Sequence, residues 1–412
     1  MRRVTAIIIG AGQAGLAMSH CLTARGVEHL VLERGRAAER WYSERWDSLR
    51  LLTPNWMSRL PGWFYRGDDP NGFMSAQDFA RYLEAYAQSS GAPVESDTRV
   101  LSVRGTSVGY LVETSRGAWL AQVVVIATGH SDIPTVPAMA RQLPPSTRQI
   151  TPATYKNPNE LPHGGVLVVG ASATGVQLAE EIQFSGRPVI LSVGRHTRLP
   201  RLYRGRDIWS WLDRSGLLDE TFDSIAERER ALSKPSFQLI GRPDYRTLDL
   251  ATLRDSGVRL VGRAVGIGGR RLHLLDDLAE TTEAAQQALE RLLDRLDRLA
   301  GPKTPPPDPD ASRVIRVEPT PTALDLEAEG IRTVVWATGY RRDYSWLQAP
   351  ILDGSKEIIH RGGVTPMPGL YVLGLRFMRR GRSNLIDGVG LDAEELAEKI
   401  LNHLARPSRS AA

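Results

Sequence analysis

A single cysteine, Cys21, excludes an intramolecular disulfide and any CxxC redox pair, and it suits a reducing compartment, so the cytoplasm is the expected location. Lysine is nearly as scarce, five among 52 basic residues, which leaves 47 arginines. They are scattered among 47 acidic residues for a net charge of +5, with no dense basic block interleaved with aromatics. That pattern argues against nucleic acid and for small anions such as phosphates. No stretch approaches about 20 uninterrupted apolar residues, so no membrane span is expected. The eight histidines form neither HxxxH nor HExxH, and no metal is expected. Neither a GxSxG elbow nor a Cys–His arrangement is present, which leaves hydrolysis without a nucleophile.

What the chain does contain is a repeated unit. Arg2-Arg3 followed by an apolar run imitates an export signal, but Gly10, Gly12 and Gly15 interrupt the run. It reads as a strand, Val4 to Ile9, entering a glycine turn. A helix follows from Leu16 to Ala24, then a second strand from His29 to Leu32. A similar unit starts with Val166 to Val169, turns at Gly170, continues as a helix from Gly175 to Phe184 and returns as Val189 to Val193. Far downstream each has a matching strand exit. Val123 to Ile126 runs into Ala127-Thr128-Gly129-His130, and Thr333 to Trp336 runs into Ala337-Thr338-Gly339-Tyr340. The implied fold class is α/β, with two Rossmann-like dinucleotide-binding domains, the second inserted in the first. The expected boundaries are 1–160 with 325–412 for the first domain and 161–324 for the second.

Between about 278 and 300, Thr282, Ala285, Leu289, Leu292, Leu296 and Leu299 are spaced alternately three and four apart. That is an amphipathic helix, read as packing on its own domain, with an intersubunit coiled coil and a homodimer as the rival. The stretch 301–309 (GPKTPPPDP) ends it as a stiff loop.

Gly10-Ala11-Gly12-Gln13-Ala14-Gly15 is GxGxxG between strand and helix. Gly10 allows the tight turn, Gly12 lets a pyrophosphate approach the backbone, and Gly15 lets the helix pack on the sheet. Glu33, at the end of the second strand, can accept hydrogen bonds from a ribose diol. The second motif is Gly170-Ala171-Ser172-Ala173-Thr174-Gly175, with Ser172 at the middle glycine. Its following strand ends in Gly194-Arg195-His196-Thr197-Arg198, without a carboxylate. A guanidinium there can pair with a ribose 2′-phosphate, which favours NADPH over NADH; Arg195 and Arg198 as plain surface arginines are the alternative.

With these motifs the chain resembles the class B flavin-dependent monooxygenases: flavin-containing monooxygenases, plant auxin-forming enzymes and Baeyer–Villiger enzymes. Arg40-Trp41 and 46–54 (WDSLRLLTP) resemble the segment lining the flavin, and the two strand exits resemble the family's ATG signatures. Segments 369–374 and 390–393 are similar to its closing strand and flavin-facing helix. The resemblance implies FAD at Gly10, Gly12, Gly15, Glu33, Arg34, Trp41, Trp46, Thr53, Val100, Ala127, Thr128, Gly129, Asp387 and Leu391. It implies NADPH at Gly170, Ser172, Thr174, Gly175, Arg195, Thr197 and Arg198. The implied activity is insertion of one oxygen atom from dioxygen into a small organic substrate, through a flavin peroxide. The family fingerprint FxGxxxHxxxY departs: Tyr155 fits its last position, Thr151 stands at the histidine, and Pro145 and Thr147 stand at the Phe and Gly. Thr151 is a candidate for shielding the flavin. Asn55 is read either as an amide donor to an oxygenated flavin or as a turn residue. Trp209, Trp211 and Tyr203 are read as packing, with a pocket wall as the alternative. Two other functions stay open, a flavin reductase or oxidase without oxygenation and a non-catalytic flavin and nicotinamide sensor.

Overall fold

Strand β1 (Arg2–Ile9) enters a glycine turn, helix α1 (Gln13–Thr23) follows, and β2 (His29–Leu32) returns parallel to β1. In this computed structural model residues 1–224, 232, 234–309 and 311–406 are described; the tail beyond Arg406, read from the sequence as frayed, lies outside the described residues. Helix α2 (Ala76–Ser89) starts at a capping box in which Ser75 and Asp78 satisfy each other's backbone N–H groups. Strands β3 (Val94–Glu95), β4 (Val100–Thr106), β5 (Gly109–Thr114) and β6 (Gly117–Ile126) continue the first sheet. β6 runs parallel to β1 on one edge and antiparallel to β5 on the other. Val123 to Ile126 are all buried, as befits a strand covered on both faces.

The chain then crosses through β7 (Ile133–Pro134) into a second sheet made of β8 (Arg148–Ile150), β9 (Gly165–Val169), β10 (Val189–Ser192), β11 (Arg259–Val261) and β12 (Ile331–Trp336). Its order is β8-β12-β9-β10-β11, every pair parallel. Helix α3 (Ala173–Phe184) joins β9 to β10. The return crossing is β13 (Tyr340–Arg341), which pairs antiparallel with β7. Thr135 N–H donates to Gly339 O at 2.9 Å, and the Thr338 hydroxyl donates to Thr135 O. Strands β14 (Leu347–Gln348) and β15 (Leu370–Val372) rejoin the first sheet, β15 beside the second half of β6, and helix α6 (Ile386–Leu404) packs on α1.

The sheets move the expected boundaries. Ala140, Leu143 and Leu326 are buried in the second unit's core, and β8 and β12 are strands of its sheet. The crossings therefore fall at 133–134 and 340–341, not near 160 and 325. β8 has three residues and pairs with a strand about 185 residues away.

A third cluster explains the heptad pattern. Helix α5 (Leu278–Asp297) buries Leu289, Leu293 and Leu296 against Trp209, Trp211 and Leu212, mainly of helix α4 (Ile208–Arg214). The stripe is consumed within the chain, and only its last member, Leu299, is exposed. The tryptophans are packed, and their Nε1 groups donate to Leu52 O (2.9 Å) and Tyr203 O (2.7 Å). No helix among the described residues is long and apolar enough to cross a membrane.

Candidate active site

At the first turn, Gly10 has φ +105°, and a Cβ there would lie 2.7 Å from Ala127 O. A Cβ on Gly15 would lie 1.8 Å from Gly10 O, so only glycine lets α1 approach the strand. Around Gly12 a Cβ would meet nothing within 4 Å. The open space is in front of a helix N-terminus that has no capping side chain and no acidic residue in its first turn. Those free N–H groups and the helix dipole suit a pyrophosphate. Glu33 is fixed by the turn itself, accepting from Ala11 N–H (2.8 Å) and Gly35 N–H (3.1 Å). Thr98 N–H donates to Glu33 O, which brings Val100 to the same end.

The second turn repeats these relations. Gly170 has φ +106° with Ala337 O 2.4 Å from a would-be Cβ, and a Cβ on Gly175 would lie 1.8 Å from Gly170 O. Ser172 caps α3 without a side-chain hydrogen bond, again with no acidic residue following in the first turn, where Thr174 is half-buried. Both cradles therefore fit a dinucleotide phosphate.

Around the first turn, Trp41 packs edge-on against Phe79 at 4.7 Å, and the Arg45 guanidinium lies 5.1 Å from the Trp41 ring. Arg34 pairs with Glu44 (3.3 Å), and Arg40 binds Glu44 and Asp132 (3.0 and 2.9 Å). Thr53 is buried, and Trp46 enters the second unit's core beside Tyr155. The Ala127 backbone joins the turn through a bond to Ile9 O, and Thr128 and Gly129 follow half-buried. On α6, Asp387 is buried and accepts from Arg59 (3.1 Å) and Arg382 (2.8 Å), while its Oδ1 has no partner among the described residues. Leu391 is the first exposed residue of that helix.

The structure changes the expectations for Arg198 and Thr197 and selects between the two readings of Asn55. Arg198 is 2% exposed and turned inward, bound to Asp249 (2.9 Å), Gln286 and Arg313 O. A guanidinium committed to a buried carboxylate is not free for a ribose phosphate. Thr197 is buried with it, its hydroxyl on Pro235 O. Of that segment Arg195 alone is exposed, without an ion pair or hydrogen bond among the described residues. Asn55 is buried, and both ends of its amide are engaged: Nδ2 donates to Asp69 O (2.9 Å) and Oδ1 accepts from Met74 N–H (2.8 Å). It is the turn residue, pinning the loop 69–74. Thr151 follows β8 and closes a local turn with Thr154 and Tyr155 N–H.

Sequence reasoning missed a charged group at the crossing. The His130 imidazole is pushed down to about 4 by burial and by Arg342, Arg376, Arg45 and Arg40, so it is neutral at pH 7. Arg376 follows Gly374, which abuts Ala14 of α1; it has no partner among the described residues, and burial lowers its pKa. Lys156 was also missed; its Nζ donates to Ser43 O (2.6 Å) and Arg45 O (2.9 Å) and ties 43–47 to the second unit. The signal for this group was its position beside the quoted motifs.

Residues 7–204 match the family described as pyridine nucleotide-disulphide oxidoreductase. An "Uncharacterized oxidoreductase CzcO-like" of Geobacillus kaustophilus is 34% identical over 403 residues, 97% of this chain and 99% of that protein. The "Probable indole-3-pyruvate monooxygenase YUCCA1" of Arabidopsis thaliana is 33% identical over 43% of this chain and 44% of its own. A flavin-containing monooxygenase from Stenotrophomonas maltophilia superposes with a TM-score of 0.67 at 19% identity, over 98% of this chain and 100% of that one. The chain belongs to the family of the CzcO-like oxidoreductases. As a member it is an oxidoreductase, and its two glycine turns each offer a cradle that fits a dinucleotide phosphate. The disulphide chemistry in the broader family description has no counterpart here. Cys21 is alone, buried in the first core, and burial pushes its thiol up to about 12.

Proposed function

We propose that this oxidoreductase is an FAD- and NADPH-dependent monooxygenase that inserts one oxygen atom from dioxygen into a small organic substrate, by N- or S-oxidation, Baeyer–Villiger reaction or a related step. The reading is carried by the pair of equal phosphate cradles, each at the carboxyl end of two parallel strands, with the crossing β7–β13 between the sheets. When bound, FAD and NADPH supply hydride transfer and the activation of oxygen. The chain's part is to bind, orient and shield. The first turn, Glu33 and the Ala127–Gly129 exit hold FAD; the second turn and Arg195 hold NADPH. Arg45, with Glu44 close by, and Arg376, without a partner among the described residues, place positive charge near a neutral His130. No side-chain nucleophile is required.

The test is NADPH oxidation under ¹⁸O₂ with a panel of amines, sulfides, ketones, indoles and 2-oxo acids, the last suggested by the plant relative. A product carrying one ¹⁸O atom supports the reading. NADPH consumption recovered wholly as hydrogen peroxide with every substrate replaces it with an oxidase.

A further inference from the structure

The second unit repeats the first closely enough to pair residues one to one. Gly10 N–H donates to Leu32 O at 2.8 Å, and Gly170 N–H to Ser192 O at 2.9 Å. One residue on, Glu33 N–H donates to Glu95 O (3.0 Å) and Val193 N–H to Val261 O (2.9 Å). Glu33 therefore corresponds to Val193 and Glu95 to Val261. Two residues further, Asp97 corresponds to Arg263. The three acidic positions at this end of the first sheet become two buried valines and an arginine in the second.

Arg263 stands beside the loop that follows β10. A Cβ on Gly194 would lie 3.7 Å from Arg263 Cδ, an ordinary contact distance, and Gly194 immediately precedes the exposed Arg195. Asp277 fixes Arg263 from behind. Its Oδ1 accepts the Arg263 N–H (2.9 Å), and its Oδ2 faces Nε (3.2 Å) and Nη2 (3.1 Å). One edge of the guanidinium is thereby anchored, while Nη1 has no partner among the described residues and the side chain is 51% exposed.

We propose that Arg263 is a specificity-determining residue for NADPH, a second guanidinium that meets the ribose 2′-phosphate together with Arg195 across Gly194. The proposal rests on the assignment of the second turn to NADPH. In this architecture the ribose edge of the nucleotide lies at the end of the second strand, where a carboxylate selects a free diol and a cation selects its phosphate. A guanidinium held in one orientation loses little freedom when it forms charge-assisted bonds to phosphate oxygens. The pair also takes over the role that the sequence assigned to the inward-facing Arg198.

The test uses the FAD-loaded protein and two probes without nicotinamide, 2′,5′-ADP and 5′-AMP, measured by calorimetry. Arg263→Ala weakens 2′,5′-ADP about tenfold and leaves 5′-AMP within about twofold, the loss of one charge-assisted contact. The double variant Arg263→Ala, Asp277→Asn shows the same selective loss, which separates it from the effect of a stranded carboxylate. Arg195→Ala serves as the parallel case. Equal weakening of both probes by Arg263→Ala, no weakening of either, or recovery in the double variant overturns the proposal. If the wild-type protein binds 2′,5′-ADP no tighter than 5′-AMP, the NADPH assignment falls and the proposal falls with it. If Arg195→Ala is selective and Arg263→Ala is not, only the proposal falls.

Discussion

At Gly12 the backbone has φ −84° and ψ −172°; at Ser172 it has φ −79° and ψ −174°. The flanking glycines meet the same carbonyls at nearly the same distances. The difference between the units begins one strand later, where Glu33 is gripped by Ala11 and Gly35 N–H groups and its counterpart Val193 is buried. On the proposed assignment, main-chain geometry meets what the two cofactors share, the phosphates, and side chains at the strand ends meet what separates them. A serine can replace the middle glycine because its Cβ position is open, whereas Gly15 and Gly175 have no such freedom.

The strongest way to break this equivalence is at those last glycines. Gly15→Ala and Gly175→Ala each put a Cβ 1.8 Å from a backbone carbonyl oxygen. Both should destabilise by more than about 4 kcal/mol in urea melts, since neither neighbour can move aside. A large loss in one and none in the other would show that the turns are not the same structure. Arg198→Ala comes next, costing about 3–5 kcal/mol because Asp249 is left buried and unpaired, and the ratio of NADP⁺ to NAD⁺ affinity should not change. A changed ratio would return Arg198 to the cofactor site.

Gly12→Val separates binding from folding. A Cβ at this position meets no protein atom within 4 Å, so the apoprotein should melt within about 1 kcal/mol of wild type, yet FAD binding should fall at least about a hundredfold. A variant that purifies with stoichiometric FAD would remove the pyrophosphate from that space. The smallest effect concerns the two strand exits, His130 in one and Tyr340 in the other. With His130 down at about 4 from an ordinary 6.5, the unfolded chain takes up a proton in that window and the folded chain does not. Its contribution therefore weakens as pH falls from 6.5 to 4, and His130→Gln should flatten that part of the stability profile. An NMR titration of the His130 ring midway near 6.5 would refute the shift.

The parts legible in the sequence are those settled within a few residues. Gly10, Gly12 and Gly15 stand between a β-branched run and a helix, and the whole turn is built from that neighbourhood. Arg198 and Asn55 were not legible, because what they touch is distant. Asp249 and Gln286 draw Arg198 inward from 51 and 88 residues away. The Asn55 amide is filled by Asp69 and Met74, on a loop with no motif of its own. The heptad stripe gave the helix and its buried face, but not the tryptophans that cover it. β8 is three residues in a proline-rich stretch, and only its pairing with β12 makes it a strand.

The crossing β7–β13 has a consequence for how the protein is put together as a gene product. The chain leaves the first unit and re-enters it through residues already hydrogen-bonded to each other, Ile133–Pro134 with Tyr340–Arg341. Everything between them is a closed parenthesis whose ends meet within one strand spacing. Such a segment can be lifted out and the gap bridged by a short turn, since the first unit's main core draws no residue from it, although Trp46, Met57 and Arg382 would lose the partners they have inside the parenthesis. A chain joined from Pro134 to Tyr340 by a two-residue turn should fold as a flavin carrier without a nicotinamide site, and the excised segment should be a module that could be spliced between the same pair of strands in another flavoprotein.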